Sequence, residues 1–345
     1  MDNIFEFTDS FSRISSIPTI NIYGRKIEDS KKKLFTIAIP TYKRASTLLE
    51  TIESALNQID VEDYNVIVVD NNPERGDETE KLMQKYIDNF RVYYFKNSEN
   101  VGMAGNWNKC LELSLSNQMI LLHDDDILSP YALRTFETII SYIDDDWAMV
   151  KPNLISFENQ HSLEFNKVYE ANLYPLSLFH FFDGCMIGAP TCILVNKKNL
   201  ISLGAYNQEY FPSFDYVAAV KATYYKKTYT ISTKNPIGGY RVSNNESLKE
   251  STMDSYFIAR YEIGRQVMKK VGIPSFIIKL YHSARFKDDV RRTCEYYNYC
   301  DYEIKTNNFD FYQIPDNICR FIYSCRGMIL QVLSVIKRKK IKIKC

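Results

Sequence analysis

The sequence predicts an α/β protein in which a mostly parallel sheet is flanked by helices and followed by a helical carboxyl-terminal region. Short uninterrupted apolar runs recur between residues 34 and 122, each followed by a segment whose apolar residues are spaced as on one face of a helix. The runs are continuous rather than alternating, as strands covered by helices on both faces must be. From Met253 onward that rhythm gives way to a helical pattern.

Leu34 to Ile39 reads as the first buried strand, after an amino-terminal extension over residues 1–33 without clear period. Ala45 to Gln58 reads as a helix, with Leu48, Leu49, Ile52, Ala55 and Leu56 on one face. A second strand is expected at Val66 to Val69 and a second helix at Glu78 to Asn89. A third strand follows at Val92 to Phe95, a third helix at Ala104 to Leu115, and a fourth strand at Met119 to Leu122. A helix from Pro130 completes the series. Beyond Lys151 the pattern weakens: irregular strands at 153–160 and 165–174, a strand entering a helix at 188–200, and a helix at Tyr216 to Lys226. The expected boundaries place one domain at 34–250 and a helical region with a basic tail at 251–345.

The chain has 345 residues, 45% hydrophobic and 25% charged, enough for a catalytic domain with a smaller appendage. Its net charge of +1 hides an asymmetry, because six of the eight residues at 337–344 are basic and the rest of the chain therefore sums to −5. The amino terminus has no apolar run of the kind a secretory signal or a membrane span needs, so a cytosolic protein is expected. Eight cysteines form no CxxC pair and four histidines no HExxH pattern. Reduced thiols are expected, and a zinc ribbon or a histidine-built zinc site is not.

In open parallel sheets ligands bind beyond the carboxyl ends of the strands, where loops converge and helix amino termini point inward. The unusual polar residues lie there. Strand one exits into Pro40-Thr41-Tyr42-Lys43-Arg44, strand two into Asp70-Asn71-Asn72, strand three into a loop with Asn100 and Gly102, and strand four into His123-Asp124-Asp125-Asp126. Three adjacent carboxylates repel one another, and a hard divalent ion such as magnesium or manganese resolves the conflict. The competing reading is an exposed acidic turn capping the helix from Pro130. A second triplet, Asp144-Asp145-Asp146, follows an amphipathic helix rather than a buried strand, so only the first stands where a ligand is expected. Asp70 is placed to accept hydrogen bonds from a base or ribose, or else to open the following turn.

Four segments together resemble the inverting family 2 glycosyltransferases of the GT-A fold: TIAIPTYKRASTLLETIESALNQ, VIVVDNNPERGDET, NSENVGMAGNWNKCLELS and MILLHDDDILSPYAL. They occur in the family's order and roughly its spacing, and the resemblance covers residues 34 to about 245. It implies a GT-A Rossmann-like domain that moves a sugar from a nucleotide-sugar donor, with UDP-sugar the expected class, to a saccharide or lipid-linked acceptor in cell-surface polysaccharide assembly. It implies donor-side roles for Pro40, Thr41, Tyr42, Arg44, Asp70, Asn100, Gly102, Asp124, Asp125 and Arg241. Mn2+ or Mg2+ is implied at Asp124, Asp125 and Asp126. Usual D-x-D spacing selects Asp124 and Asp126, whereas alignment on Pro130 sets His123 at the family's first Asp and favours Asp125.

Inverting transfer needs a base on the acceptor side. The family places it after a Gly-Ala-aromatic segment, here Gly204-Ala205-Tyr206, which makes Asp215 the implied catalytic carboxylate, with Phe214 where the family commonly has Glu. Ser243 stands where the family often carries a His, so a third ligand from that position is missing. Residues 184–191 are expected to line the acceptor side.

Residues 318–336 are apolar but interrupted by Arg320, Arg326 and Gln331, which argues against a spanning helix. Two readings stand: an amphipathic helix lying on an anionic leaflet, aided by the basic run, or a core-packing terminal helix with a solvated end. No nucleic-acid motif is present. A nucleotidyltransferase would need a glycine-rich loop after strand one, where this chain has PTYKRAS; a non-catalytic nucleotide- or sugar-binding protein is the remaining alternative.

Overall fold

The computed structural model describes residues 1–24, 33–159, 162–242, 250–297, 312, 314–322, 324–325 and 341–344. The elements run in the order α1 (Ser10–Ser15), β1 (Thr19–Tyr23), β2 (Phe35–Thr41), α2 (Ala45–Leu56), β3 (Tyr64–Asp70), α3 (Glu78–Met83), β4 (Val92–Asn97), α4 (Gly102–Leu113), β5 (Gln118–Leu121), β6 (Ile127–Leu128) and α5 (Ala132–Ile140). There follow β7 (Trp147–Lys151), β8 (Leu154–Phe157), β9 (Glu170–Pro175), β10 (Ile193–Asn196), α6 (Lys197–Ser202), α7 (Phe214–Tyr225), β11 (Lys227–Thr233) and β12 (Gly238–Arg241). The chain ends with α8 (Glu250–Lys270), α9 (Ser275–Tyr297) and β13 (Ile341–Lys344).

Ten strands form the main sheet in the order β1-β4-β3-β2-β5-β10-β7-β11-β9-β13. Its centre is the parallel block β4-β3-β2-β5, and antiparallel strands join at both flanks. All residues of β2, β3 and β4 are buried, which explains why they read as unbroken apolar runs. Side chains alternate between two cores. Ile37, Ile39, Val66 and Val68 meet Leu48, Ile52 and Ala55 of α2 on one face, while Ala38, Ile67, Val69 and Phe95 meet Trp107, Cys110 and Leu111 of α4 on the other.

The winding positions the site. From β2 the chain steps outward through β3 to β4, then returns to lay β5 on the other side of β2. Loops leaving β2 and β5 therefore diverge over the crevice between them, the switch point at which open α/β sheets bind ligands. A small sheet, β6-β12-β8, closes beside it and carries Arg241 back to the loop that leaves β5.

Several elements differ from the sequence reading. The second helix stops at Met83 and passes into a 3-10 turn at Gln84–Tyr86, because Asn89 folds the chain back: its side chain accepts the Arg91 N–H. The residues ahead of Leu34 contribute β1, paired antiparallel with β4, and place Ile4 and Phe5 in the core. The end of the basic run is an edge strand: Ile341–Lys344 pairs with β9 and buries Ile343, as its alternation of Ile and Lys permits. The amphipathic helix expected over 318–336 lies mostly outside the described residues, as do 337–340. No described helix is long and apolar enough to cross a membrane.

Candidate active site

Thr41, the last residue of β2, donates its hydroxyl to Asp124 at 2.7 Å, so the two strands flanking the switch point are joined at their carboxyl ends. Lys43 takes a left-handed φ of 54°, turning the chain into α2 and directing Arg44 over the acidic loop. The Arg44 guanidinium lies 2.5 Å from Asp125 and 3.6 Å from Asp124. Pro40 is buried within β2, and Tyr42 stands 44% exposed at the rim.

The triplet is divided by its surroundings. Asp124 is held by Thr41 and Arg44. Asp126 is fully buried; its Oδ1 accepts the Arg241 N–H at 2.8 Å and its carbonyl accepts the Thr51 hydroxyl at 2.9 Å. Asp126 Oδ2 and His123 Nε2 are buried with no hydrogen-bond partner among the described residues. His123, Asp125 and Asp126 each bring one ligand atom to within 4.8 Å of the others. An orphaned buried carboxylate oxygen, Asp126 Oδ2, lying 3.7 Å from His123 Nδ1 inside a convergent His-Asp-Asp set fits a divalent cation, because leaving it unpaired costs its full desolvation.

Burial sets the protonation states here. It lowers His123 to about 4, leaving the imidazole neutral at neutral pH, the form that ligates metals. Burial and then the neighbouring Asp125 push Asp126 up to about 7. Burial lifts Asp124 to about 6 against the opposing pull of Arg44 and Thr41.

At the end of β3, Asp70 is fully buried and accepts from Lys96 at 2.6 Å, Tyr94 at 2.8 Å and the Asn72 N–H at 2.9 Å. Asn71 binds the next loop: its Oδ1 accepts from Val101 N–H, and its amide donates to Asn100 Oδ1 at 2.7 Å and to the Gly102 carbonyl. Gly102 has φ +75°, and a Cβ there would fall 2.8 Å from Gln208 Oε1, which accepts the Ala104 N–H. The position therefore requires glycine.

Asp215 lies in the first turn of α7, half-buried, and burial raises it to about 6 against the nearby backbone N–H groups. Its neighbour Phe214 packs on Trp107 at 4.8 Å, and Trp107 meets the His123 ring at 5.1 Å. His123 of the acidic cluster and Phe214, the neighbour of the base candidate, thus meet one indole. The 184–191 segment reaches both: Thr191 Oγ1 accepts the His123 N–H at 3.1 Å, and the Cys185 thiol feels the charge of Asp215.

With this geometry in place, residues 36–204 match the model of glycosyl transferase family 2. The chain carries a glycosyl transferase family 2 domain over these residues. It is 24% identical over 253 residues to the poly(ribitol-phosphate) beta-N-acetylglucosaminyltransferase TarP of Staphylococcus aureus, a match covering 69% of this chain and 73% of that one. Among solved structures it is similar to S. aureus TarS 1–349 in complex with UDP-GlcNAc. There the TM-score is 0.53 and the identity 15%, with 76% of this chain and 73% of that one covered. TarS 1–349 alone gives a TM-score of 0.52 at 15% identity, over 81% of this chain and 97% of that one. At these identities the structures speak for the α/β fold.

Within this family 2 glycosyltransferase, the predicted residues Thr41, Arg44, Asp124, Asp125, Asp126 and Arg241 converge directly. Arg241, expected to reach a diphosphate, is otherwise engaged: its guanidinium pairs with Glu50, donates to the Asp125 carbonyl at 2.8 Å and stacks over Phe157. Asn100 is exposed and organises its own loop. Ser243 lies outside the described residues. Sequence reading passed over Lys96, Asn106, Trp107 and Gln208, and named Asn71 at the strand end without giving it a role. Asn106 accepts from Asn97 and donates to the Val69 carbonyl, fastening α4 to β3. A polar residue at a core-facing helical position was the available signal.

Proposed function

We propose that this glycosyltransferase transfers a sugar with inversion from a UDP-sugar to a hydroxyl of a saccharide or lipid-linked acceptor in cell-surface polysaccharide assembly. Residues 34–250 carry the catalytic fold in this reading. The observation that carries it is the His123-Asp125-Asp126 convergence at the switch point, with Phe214, the neighbour of Asp215, packed on the same Trp107 indole that His123 meets. The named relatives support the donor class, one being an N-acetylglucosaminyltransferase and one a complex with UDP-GlcNAc.

Asp70, Thr41 and Tyr42 bind the nucleoside, with Asn71, Asn100 and Gly102 shaping the wall beside it. His123, Asp125 and Asp126 hold Mn2+ or Mg2+, which when bound supplies positive charge to the diphosphate leaving group. Asp124 positions Arg44 and the β2 loop. The acceptor hydroxyl attacks the anomeric carbon as the bond to the diphosphate oxygen breaks, and its proton passes to the Asp215 carboxylate. A value near 6 keeps that carboxylate ionised at neutral pH yet basic enough to take a proton.

The test is transfer from UDP-GlcNAc to oligosaccharide, polyol-phosphate and lipid-linked acceptors with Mn2+ present. Asp125→Ala is expected to abolish both donor hydrolysis and transfer. Asp215→Asn is expected to lose transfer while still binding UDP. Wild-type transfer rates in either variant would refute the assigned roles.

A further inference from the structure

The helical region carries an apolar face that the catalytic reading does not use. In the first turns of α9, Phe276, Ile277 and Leu280 are 66%, 40% and 37% exposed, and beside them Ile318 and Phe321 in residues 316–322 are 42% and 67% exposed. Ile277, Leu280 and Phe321 line a 220 Å³ groove floored by Phe182 and Met268, and no charged residue lines it among the described residues. Two phenylalanines two-thirds in water, Phe321 lining an apolar groove and Phe276 next in sequence to its lining residue Ile277, are expensive on a protein with no partner there.

The charge around this face is predominantly positive. From Gln266 to Arg292 the chain carries seven cations against two carboxylates, Asp288 and Asp289, and although Arg285 pairs with Asp183 and Asp289 and Lys287 with Asp316, the excess stays positive in a protein of net charge +1. Lys279 sits 4.2 Å over the Tyr312 ring beside the patch. A two-fold contact between copies would set these like charges against each other. An anionic surface with an apolar interior complements both features at once.

We propose that this face docks on an anionic phospholipid bilayer, with Phe276 and Phe321 entering the boundary between headgroups and acyl chains. The orientation suits the chemistry. Tyr281, which lines the groove, hydrogen-bonds Asp183, and the following Gly184 opens the loop that reaches Asp215 and His123. Docking there presents the acceptor side of the site toward lipid.

The experiment is cosedimentation of the full chain with vesicles of phosphatidylcholine alone or mixed equally with phosphatidylglycerol. Wild type is expected to bind the mixed vesicles, to release with added salt, and to ignore phosphatidylcholine. The double variant Phe276→Ser, Phe321→Ser keeps the basic run and should bind about tenfold less or weaker still. An unchanged melting temperature shows that it folds. Equal binding by the double variant assigns attachment to the basic run and overturns the proposal, as does failure of wild type to bind. Concentration-dependent dimerisation lost in the double variant also overturns it, in favour of a second copy.

Discussion

The imidazole of His123 rests 5.1 Å from the indole of Trp107, and the same indole carries Phe214 at 4.8 Å, one residue ahead of Asp215. A single α4 side chain therefore touches both the proposed cation cluster and the neighbour of the proposed base. Trp107→Ala empties a fully packed position and is expected to cost about 3–5 kcal/mol in urea unfolding. Trp107→Phe keeps most of the packing but lets His123 and Asp215 shift. It should fold with a loss under about 1.5 kcal/mol and show reduced kcat. A Trp107→Phe enzyme with wild-type kcat would detach the indole from positioning.

The imidazole also bears on which cation is preferred. Magnesium takes oxygen ligands almost alone, whereas imidazole suits the first-row transition metals. Calorimetric titration is therefore expected to give tighter binding of Mn2+ than of Mg2+. His123→Asp should narrow that difference by restoring an all-oxygen set. An unchanged Mn2+ to Mg2+ ratio would remove His123 from the ligand set.

Much of this was legible in the sequence, and for identifiable reasons. Strands buried on both faces, such as VIVV in β3, announce themselves because no residue need be polar. Thr41, Arg44 and the acidic triplet were found because strand ends are where the topology gathers ligands. The division of the triplet was left open, since adjacent residues in a tight turn point apart in ways spacing does not encode: Asp124 turns to Thr41 and Asp126 to Arg241. Lys96 was passed over because it reads as the polar end of a strand, although it pairs with the buried Asp70 at 2.6 Å. The edge strands β1 and β13 were missed because each depends on a partner distant in sequence.

Asp126 illustrates a conflict between stability and function. Its folded value of about 7 lies above the ordinary 3.8, so its ionisation opposes folding. This penalty is absent below 3.8, grows through that window and is full above 7. Asp126→Asn retains an oxygen for the Arg241 N–H and removes the buried charge. In metal-free buffer at pH 7.5 it is expected to stabilise the protein by about 1–3 kcal/mol. It should also lose the rise in melting temperature that Mn2+ gives wild type. A destabilised Asp126→Asn protein that still responds to Mn2+ would contradict both halves.

Asp215 titrates in the range where activity is measured. Burial places its carboxyl at about 6, and only the ionised form accepts a proton from the acceptor hydroxyl. With the donor and Mn2+ saturating, log kcat should be flat above pH 7 and fall with unit slope below about 6, tenfold per pH unit. Asp215→Asn should lower kcat by about 10²–10⁴-fold and abolish that limb while leaving UDP affinity unchanged, because the proposed base acts on the acceptor hydroxyl rather than on the nucleotide. Asp215→Glu keeps a base but moves it along the first turn of α7, so partial activity with a shifted limb is expected. An acid limb that persists unshifted in Asp215→Asn would assign the titration to another group and strip Asp215 of its role.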